Sequence, residues 1–142
     1  MSSEVDHSLK TNWLEVKGLR IRCLTARVSG TPVLLRHGGG IDSAGFSYKC
    51  VIEPLALDHW VFAPDWPGYG ESDKPDVEHT MTFYIDFLGS LMDALQLERV
   101  SLVGISLGGG AALGFTLRSS QRVRGWCWWT ATAWETKFPG TA

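Results

Sequence analysis

An apolar run from Val100 leads into Gly104-Ile105-Ser106-Leu107-Gly108 and then into Gly109 to Leu117, which is rich in small residues. The run reads as a strand and the stretch from Gly108 to Leu117 as a helix. A serine on so sharp a strand-to-helix turn is held in a strained backbone, and the residues two before and two after it must be small for the chains to pass. The turn pushes the hydroxyl out at the carboxyl end of the sheet and aims the helix N-terminus at it. A developing oxyanion there meets backbone N–H groups and the positive end of the helix dipole. Ser106 is therefore the candidate nucleophile. The competing interpretation is a glycine-rich turn with a solvent-capping serine; it leaves the strand before and the helix after without a reason.

The rest of the chain alternates in the same way. Asn12 to Lys17 and Leu19 to Val28 read as two strands turning at Gly18. Val33-Leu34-Leu35 and Trp60-Val61-Phe62-Ala63 are short continuous apolar runs, which suits strands buried on both faces. Gly45 to Leu57 is helix-like with a break at Pro54. From Glu78 to Gln96, Met81, Ile85, Leu88, Met92 and Leu95 recur at spacings of three and four, the pattern of an amphipathic helix. This alternation predicts an α/β fold, a mostly parallel sheet with helices on both faces.

Two further motifs stand at strand ends. His37-Gly38-Gly39-Gly40 follows the third strand, and successive glycines let backbone N–H groups approach a ligand closely. Asp65-Trp66-Pro67-Gly68-Tyr69-Gly70-Glu71-Ser72 follows the fourth. With HGGG, D-x-x-G-x-G-x-S and G-x-S-x-G in that order, residues 12 to 125 resemble the α/β-hydrolase family of esterases, lipases and C–C-bond hydrolases. The resemblance implies a partial α/β-hydrolase fold, with the C-terminal strands and lid missing. It implies hydrolysis of an ester or C–C bond through Ser106, with an N–H from Gly39 or Gly40 joining that of Leu107 as the oxyanion hole. His37 is then structural, because it precedes the serine. Asp65, Gly68, Gly70 and Ser72 become scaffold, with Trp66 or Tyr69 as less favoured substrate contacts. Arg36 departs from the family, which keeps this strand apolar, and its guanidinium needs a partner or a wet strand end. Haloalkane and epoxide hydrolases use an aspartate where Ser106 stands and are excluded by residue type.

Composition removes other classes. The 142 residues are 44% apolar and 20% charged, with a formal net charge of -2. That balance offers no footprint for nucleic acid, and no apolar run is long enough to span a membrane. MSSEVDHSLK has neither the basic nor the apolar region of a secretion signal. Cys23, Cys50 and Cys127 are widely spaced and fit a reducing, cytoplasmic setting. His7, His37, His59 and His79 form no metal-ligand pattern, and no Gly-x-Gly-x-x-Gly exists. In a phosphate loop Gly110 would have to be lysine. No cofactor or metal is expected; the expected partner is a small-molecule ester or ketone.

The family's order is serine, then acid, then histidine. After Ser106 there is no histidine and no aspartate, and Glu135 is the one acidic residue. A serine hydroxyl without a base is a weak nucleophile, so the chain is expected to be an inactive truncated hydrolase. The alternative is a non-catalytic product with at most a binding or interaction role. Four of the seven tryptophans lie at 126, 128, 129 and 134. Trp has one codon and Cys two, so the bases of Trp126-Cys127-Trp128-Trp129-Thr130 are nearly fixed. Shifted by one base they encode Val-Leu-Val-Asp, the strand and acid that the resemblance places here. The expectation is a hydrolase part over 1–125 and an out-of-frame tail over 126–142, caused by a one-base deletion near codon 125. An intact downstream frame containing a histidine is then expected in the coding DNA. The strand of Ser106 would lie at or near a sheet edge, inviting self-association through that edge.

Overall fold

A computed structural model describes residues 6–129. The tail beyond residue 129 and the first five residues, part of the segment inspected for a secretion signal, lie outside the described residues. Strands β1 (Lys10–Val16) and β2 (Leu19–Ala26) form a hairpin. Its two turn residues, Lys17 (φ 51) and Gly18 (φ 77), both take the left-handed conformation that matches the twist of the paired strands. There follow β3 (Thr31–Arg36), α1 (Ala44–Leu55), β4 (His59–Pro64), α2 (Met81–Ala94), β5 (Val100–Ile105), α3 (Leu107–Arg118) and β6 (Val123–Trp129). The sheet order is β1-β2-β4-β3-β5-β6. β2 pairs antiparallel with β1 and β4; β4, β3, β5 and β6 are mutually parallel.

Both faces are covered, which is why the central strands are apolar throughout. Ala44, Tyr48 and Ile52 of α1 pack with Leu24, Val33, Leu35 and Val61 on one face. On the other, α2 and α3 bury Leu34, Phe62 and Leu102. The alternation along β3, with Leu34 to one side and Val33 and Leu35 to the other, places these three side chains in the two cores.

One detail differs from the sequence expectations. α1 does not break at Pro54: the proline sits in its last turn, where one missing amide ends the helix instead of interrupting it. β5 lies next to the sheet edge, as expected, with β6 as the edge strand beside it, Leu102 opposite Trp126 and Val103 opposite Cys127. The strand expected at this point forms from the tryptophan-rich sequence itself, across the boundary drawn at residue 125. Finally, α3 is close-packed with α2. A Cβ at Gly114 would lie 2.3 Å from Ile85 Cδ1, and one at Gly110 2.9 Å from Met81 Cε.

Candidate active site

Ser106 stands at φ 49 and ψ -110 between the end of β5 and the first turn of α3. A non-glycine residue there costs on the order of 1–3 kcal/mol and persists only when its surroundings fix it. The neighbours supply that constraint. A Cβ added at Gly104 would lie 2.4 Å from the Gly108 carbonyl, and one at Gly108 would lie 2.2 Å from the Arg36 oxygen and 2.7 Å from that of His37. The helix can therefore start hard against β3 and β5 only with glycine at both positions. Its first intrahelical bond from beyond the turn is Gly110 N to Ser106 O at 2.9 Å. The preceding amides, that of Leu107 among them, have no acceptor within the helix and carry its positive end.

The glycine loop lies against this turn. A Cβ at Gly38 would be 3.6 Å from that of Ser106, and one at Gly39 would be 3.9 Å from that of Leu107. Gly40, at φ 72, faces open space. Asp42, which sequence reasoning passed over, closes the loop. Its carboxylate accepts from Gly38 N and Ser43 N at 2.7 Å each, and the Ser47 hydroxyl donates to it at 2.7 Å. The amide of Gly38 is thereby occupied. A lone aspartate in a loop carries no periodic signal that would have marked it.

His37 is fully buried. Its Nε2 accepts from Trp66 N at 3.0 Å, so the proton is on Nδ1, which donates to Gly38 O at 2.7 Å. Burial, and then the positive charge of Arg36, push its pKa down to about 4. A ring with both nitrogens engaged and no affinity for a proton at neutral pH holds the loop and cannot serve Ser106 as a base. Arg36 is also fully buried, at the end of β3. Its guanidinium lies 3.4 Å from the Trp66 ring centroid and donates from Nη1 to Pro64 O at 3.4 Å, while Nε and Nη2 have no partner among the described residues. Desolvation brings its pKa down to about 9.

Asp65 ties the surrounding pieces together. One oxygen accepts from Ala44 N at 2.8 Å, which anchors the start of α1. The other accepts from Arg22 Nε and Glu71 N at 3.0 Å each. Ser72 Oγ donates to Asp65 O at 3.0 Å and accepts from Arg22 N. Gly68 and Gly70 take positive φ in the same loop. Trp66 is fully buried, its Nε1 donating to His37 O at 2.9 Å. Tyr69 instead borders the site, with its hydroxyl 3.4 Å from a Cβ built at Gly39 and its ring edge-on to His37 at 5.4 Å between centroids. Tyr84, packed on Trp66 at 4.9 Å between ring centroids, meets His79 Nδ1 through its hydroxyl at 2.8 Å. Among the described residues no three His, Cys, Asp or Glu side chains are grouped to hold a metal.

A strained serine thus stands at a helix N-terminus, faced by a glycine loop. The chain belongs to the alpha/beta hydrolase fold family, whose profile matches residues 31–127. It is 37% identical over 98 residues to the 2-hydroxymuconate semialdehyde hydrolase of Pseudomonas sp. (strain CF600), covering 68% of this chain and 35% of that protein. It is 34% identical over 126 residues to the 2-hydroxy-6-oxo-6-(2'-aminophenyl)hexa-2,4-dienoic acid hydrolase of Metapseudomonas resinovorans, covering 87% and 43%. The solved structure of a serine hydrolase involved in carbazole degradation superposes with TM-score 0.84 at 30% identity, over 92% of this chain and 51% of that one. The chain thus spans about a third to a half of the length of these relatives. The likeness extends to the haloalkane dehalogenase DatA of Agrobacterium tumefaciens C58, with TM-score 0.77 and 28% identity. The fold alone therefore does not choose the chemistry; the residue at 106 has to.

Proposed function

We propose that Ser106 is the nucleophile of a serine hydrolase that cleaves a C–C bond beside a carbonyl, or an ester, in a small molecule. The observation that carries this reading is the backbone of Ser106 at φ 49, locked between Gly104 and Gly108 at the mouth of α3. Attack of Oγ on the carbonyl carbon moves an electron pair onto its oxygen. The amides of Leu107 and of Gly39 or Gly40 receive that charge, and one such donor contributes about 3 kcal/mol to the transition state. The nearness of the Gly39 backbone to Leu107, whose Cβ would lie 3.9 Å from one added at Gly39, favours Gly39 as the second donor. The relatives named for hydrolysis of semialdehyde and dienoic acid substrates support a ketone over an ester.

The attack also requires a base, and within these 142 residues no histidine or aspartate follows Ser106. This supports a second reading for the chain by itself: a non-catalytic polypeptide that keeps the site's geometry without its proton acceptor. Its compartment is the cytoplasm, in keeping with three free thiols, two of them exposed. No helix among the described residues is long and apolar enough to cross a membrane. The out-of-frame origin of residues 126–142 belongs to the same proposal; sequencing the coding DNA tests it, an intact downstream frame with a histidine being expected and its absence removing the idea.

A chimera tests the nucleophile. Residues 126–142 are replaced by the C-terminal part of the Pseudomonas 2-hydroxymuconate semialdehyde hydrolase, and turnover of 2-hydroxymuconate semialdehyde is followed. The folded chimera is expected to turn over, and Ser106→Ala to lower kcat by about a thousandfold or more. Turnover that survives Ser106→Ala contradicts the assignment.

A further inference from the structure

The loop from Asp65 to Ser72 holds one residue beside the site by constraints on both sides of it. Tyr69 lies between two glycines of positive φ, Gly68 at 89° and Gly70 at 53°. A Cβ at Gly70 would collide with the Asp65 carboxylate, and one at Gly68 would lie 2.6 Å from His79 Cε1. Both positions are therefore closed to larger residues, and the backbone around Tyr69 has one arrangement. Its own amide donates to Trp66 O at 3.0 Å, and its carbonyl accepts from Ser72 N at 3.2 Å. The half-buried ring packs against the core and stands edge-on to His37.

The hydroxyl of that ring meets the inner side of Gly39. A Cβ built at Gly39 would sit 3.4 Å from the Tyr69 oxygen, 3.8 Å from Leu107 Cδ2 and 3.9 Å from Leu107 Cβ. These are ordinary van der Waals separations, so the spot has room for one heavy atom. It adjoins the two backbone segments, at Gly39 and Leu107, whose amides are assigned to the oxyanion. An oxygen accepts from a hydroxyl at about 2.8 Å, so a small displacement from that spot towards Tyr69 makes the bond. The other phenol of this region is engaged elsewhere, the Tyr84 hydroxyl meeting His79 Nδ1 at 2.8 Å.

We propose that Tyr69 is a further catalytic residue, whose hydroxyl donates a hydrogen bond to the substrate's carbonyl oxygen as Ser106 adds to the carbon. The phenol keeps its proton throughout; it adds a third donor, fixed in advance, where negative charge develops. The proposal rests on the reading of Ser106 as the nucleophile. It also gives the loop from Asp65 to Ser72 a task, which is to hold one phenol over the glycine loop.

Tyr69→Phe is the discriminating variant, because it keeps the ring against His37 and removes only the hydroxyl. Propionate, a small oxyanion, is titrated into the purified 142-residue chain at constant ionic strength. The Gly39 and Leu107 amide signals in NMR spectra are expected to shift with a Kd of about 10 mM. Tyr69→Phe should weaken that binding about fivefold, the effect of one hydrogen bond, and leave the urea midpoint unchanged. Gly39→Ala, whose methyl would fill the spot at contact distance, should abolish the shift in a chain that stays folded. In the chimera described above, Tyr69→Phe should lower kcat about tenfold and change KM by less than about twofold. Propionate binding or a kcat indifferent to Tyr69→Phe, or a shift that survives Gly39→Ala, overturns the proposal and leaves Ser106 as the nucleophile. No shift of either amide in the parent chain removes the proposal together with the assigned oxyanion donors. A chimera that keeps its turnover in Ser106→Ala removes the nucleophile, and the proposal with it.

Discussion

Burial of the His37 ring, with the Arg36 guanidinium beside it, fixes the protonation of the loop that faces Ser106. The imidazole titrates near 6.5 when unfolded and near 4 when folded. The unfolded chain therefore takes up the proton first as pH falls, and this residue lowers stability between those two values. The loss of stability grows over that interval to about 3 kcal/mol; it is complete below pH 4 and absent above 6.5. Urea unfolding followed from pH 7.5 to 4.5 should show the fall, and the His37 ring protons should not shift in NMR spectra until below pH 5. Arg36→Leu removes a buried cation that has no carboxylate partner. It should raise the unfolding free energy by about 1 kcal/mol or more and move the His37 transition upward. A lower stability for that variant would mean that the stacking on Trp66 outweighs the desolvation. At this scale the sequence was only partly legible. The role of Ser106 could be suspected from its neighbours, because two glycines at fixed spacing leave one geometry. Arg36 was visible as an anomaly without an explanation, since its partner is a ring thirty residues away, brought close only by β4. Asp42 left no trace at all.

The crossing of β5 and α3 against β3 is the element on which the site depends. Because a Cβ at Gly108 meets backbone oxygens of Arg36 and His37, no side-chain rotation can relieve it. Gly108→Ala should cost about 3 kcal/mol or more in urea unfolding, at the upper end for overpacking. A loss within about 0.5 kcal/mol, the range of an ordinary surface substitution, would show that the helix start is not held as described. Elements were more legible than residues. β3, β4 and β5 are buried on both faces and so read as continuous apolar runs, and α2 announced itself by its spacing. β6 was not read from its own residues, since a run of Trp and Cys looked foreign. Aromatic side chains nonetheless favour a pleated strand, and Trp126 to Trp129 extend β6 beside β5. Helix ends were the least legible: Pro54 closes α1 where an interruption was expected, because proline's effect depends on how many turns follow it.

At the scale of the whole molecule, the described residues form a six-stranded sheet with one helix on one face and two on the other, which brings three sequence motifs to the same end of the parallel strands. This convergence gives the site its shape: a positioned serine with a glycine loop facing it, in a sequence with no histidine after Ser106. The reactivity of that hydroxyl is the most direct measure. The purified chain is treated with a fluorophosphonate at neutral pH, and the peptide bearing Ser106 is followed by mass spectrometry. The peptide should remain unlabelled, as in the Ser106→Ala variant. Stoichiometric labelling of Ser106 with no second polypeptide present would mean that these residues already contain its base, contrary to the account.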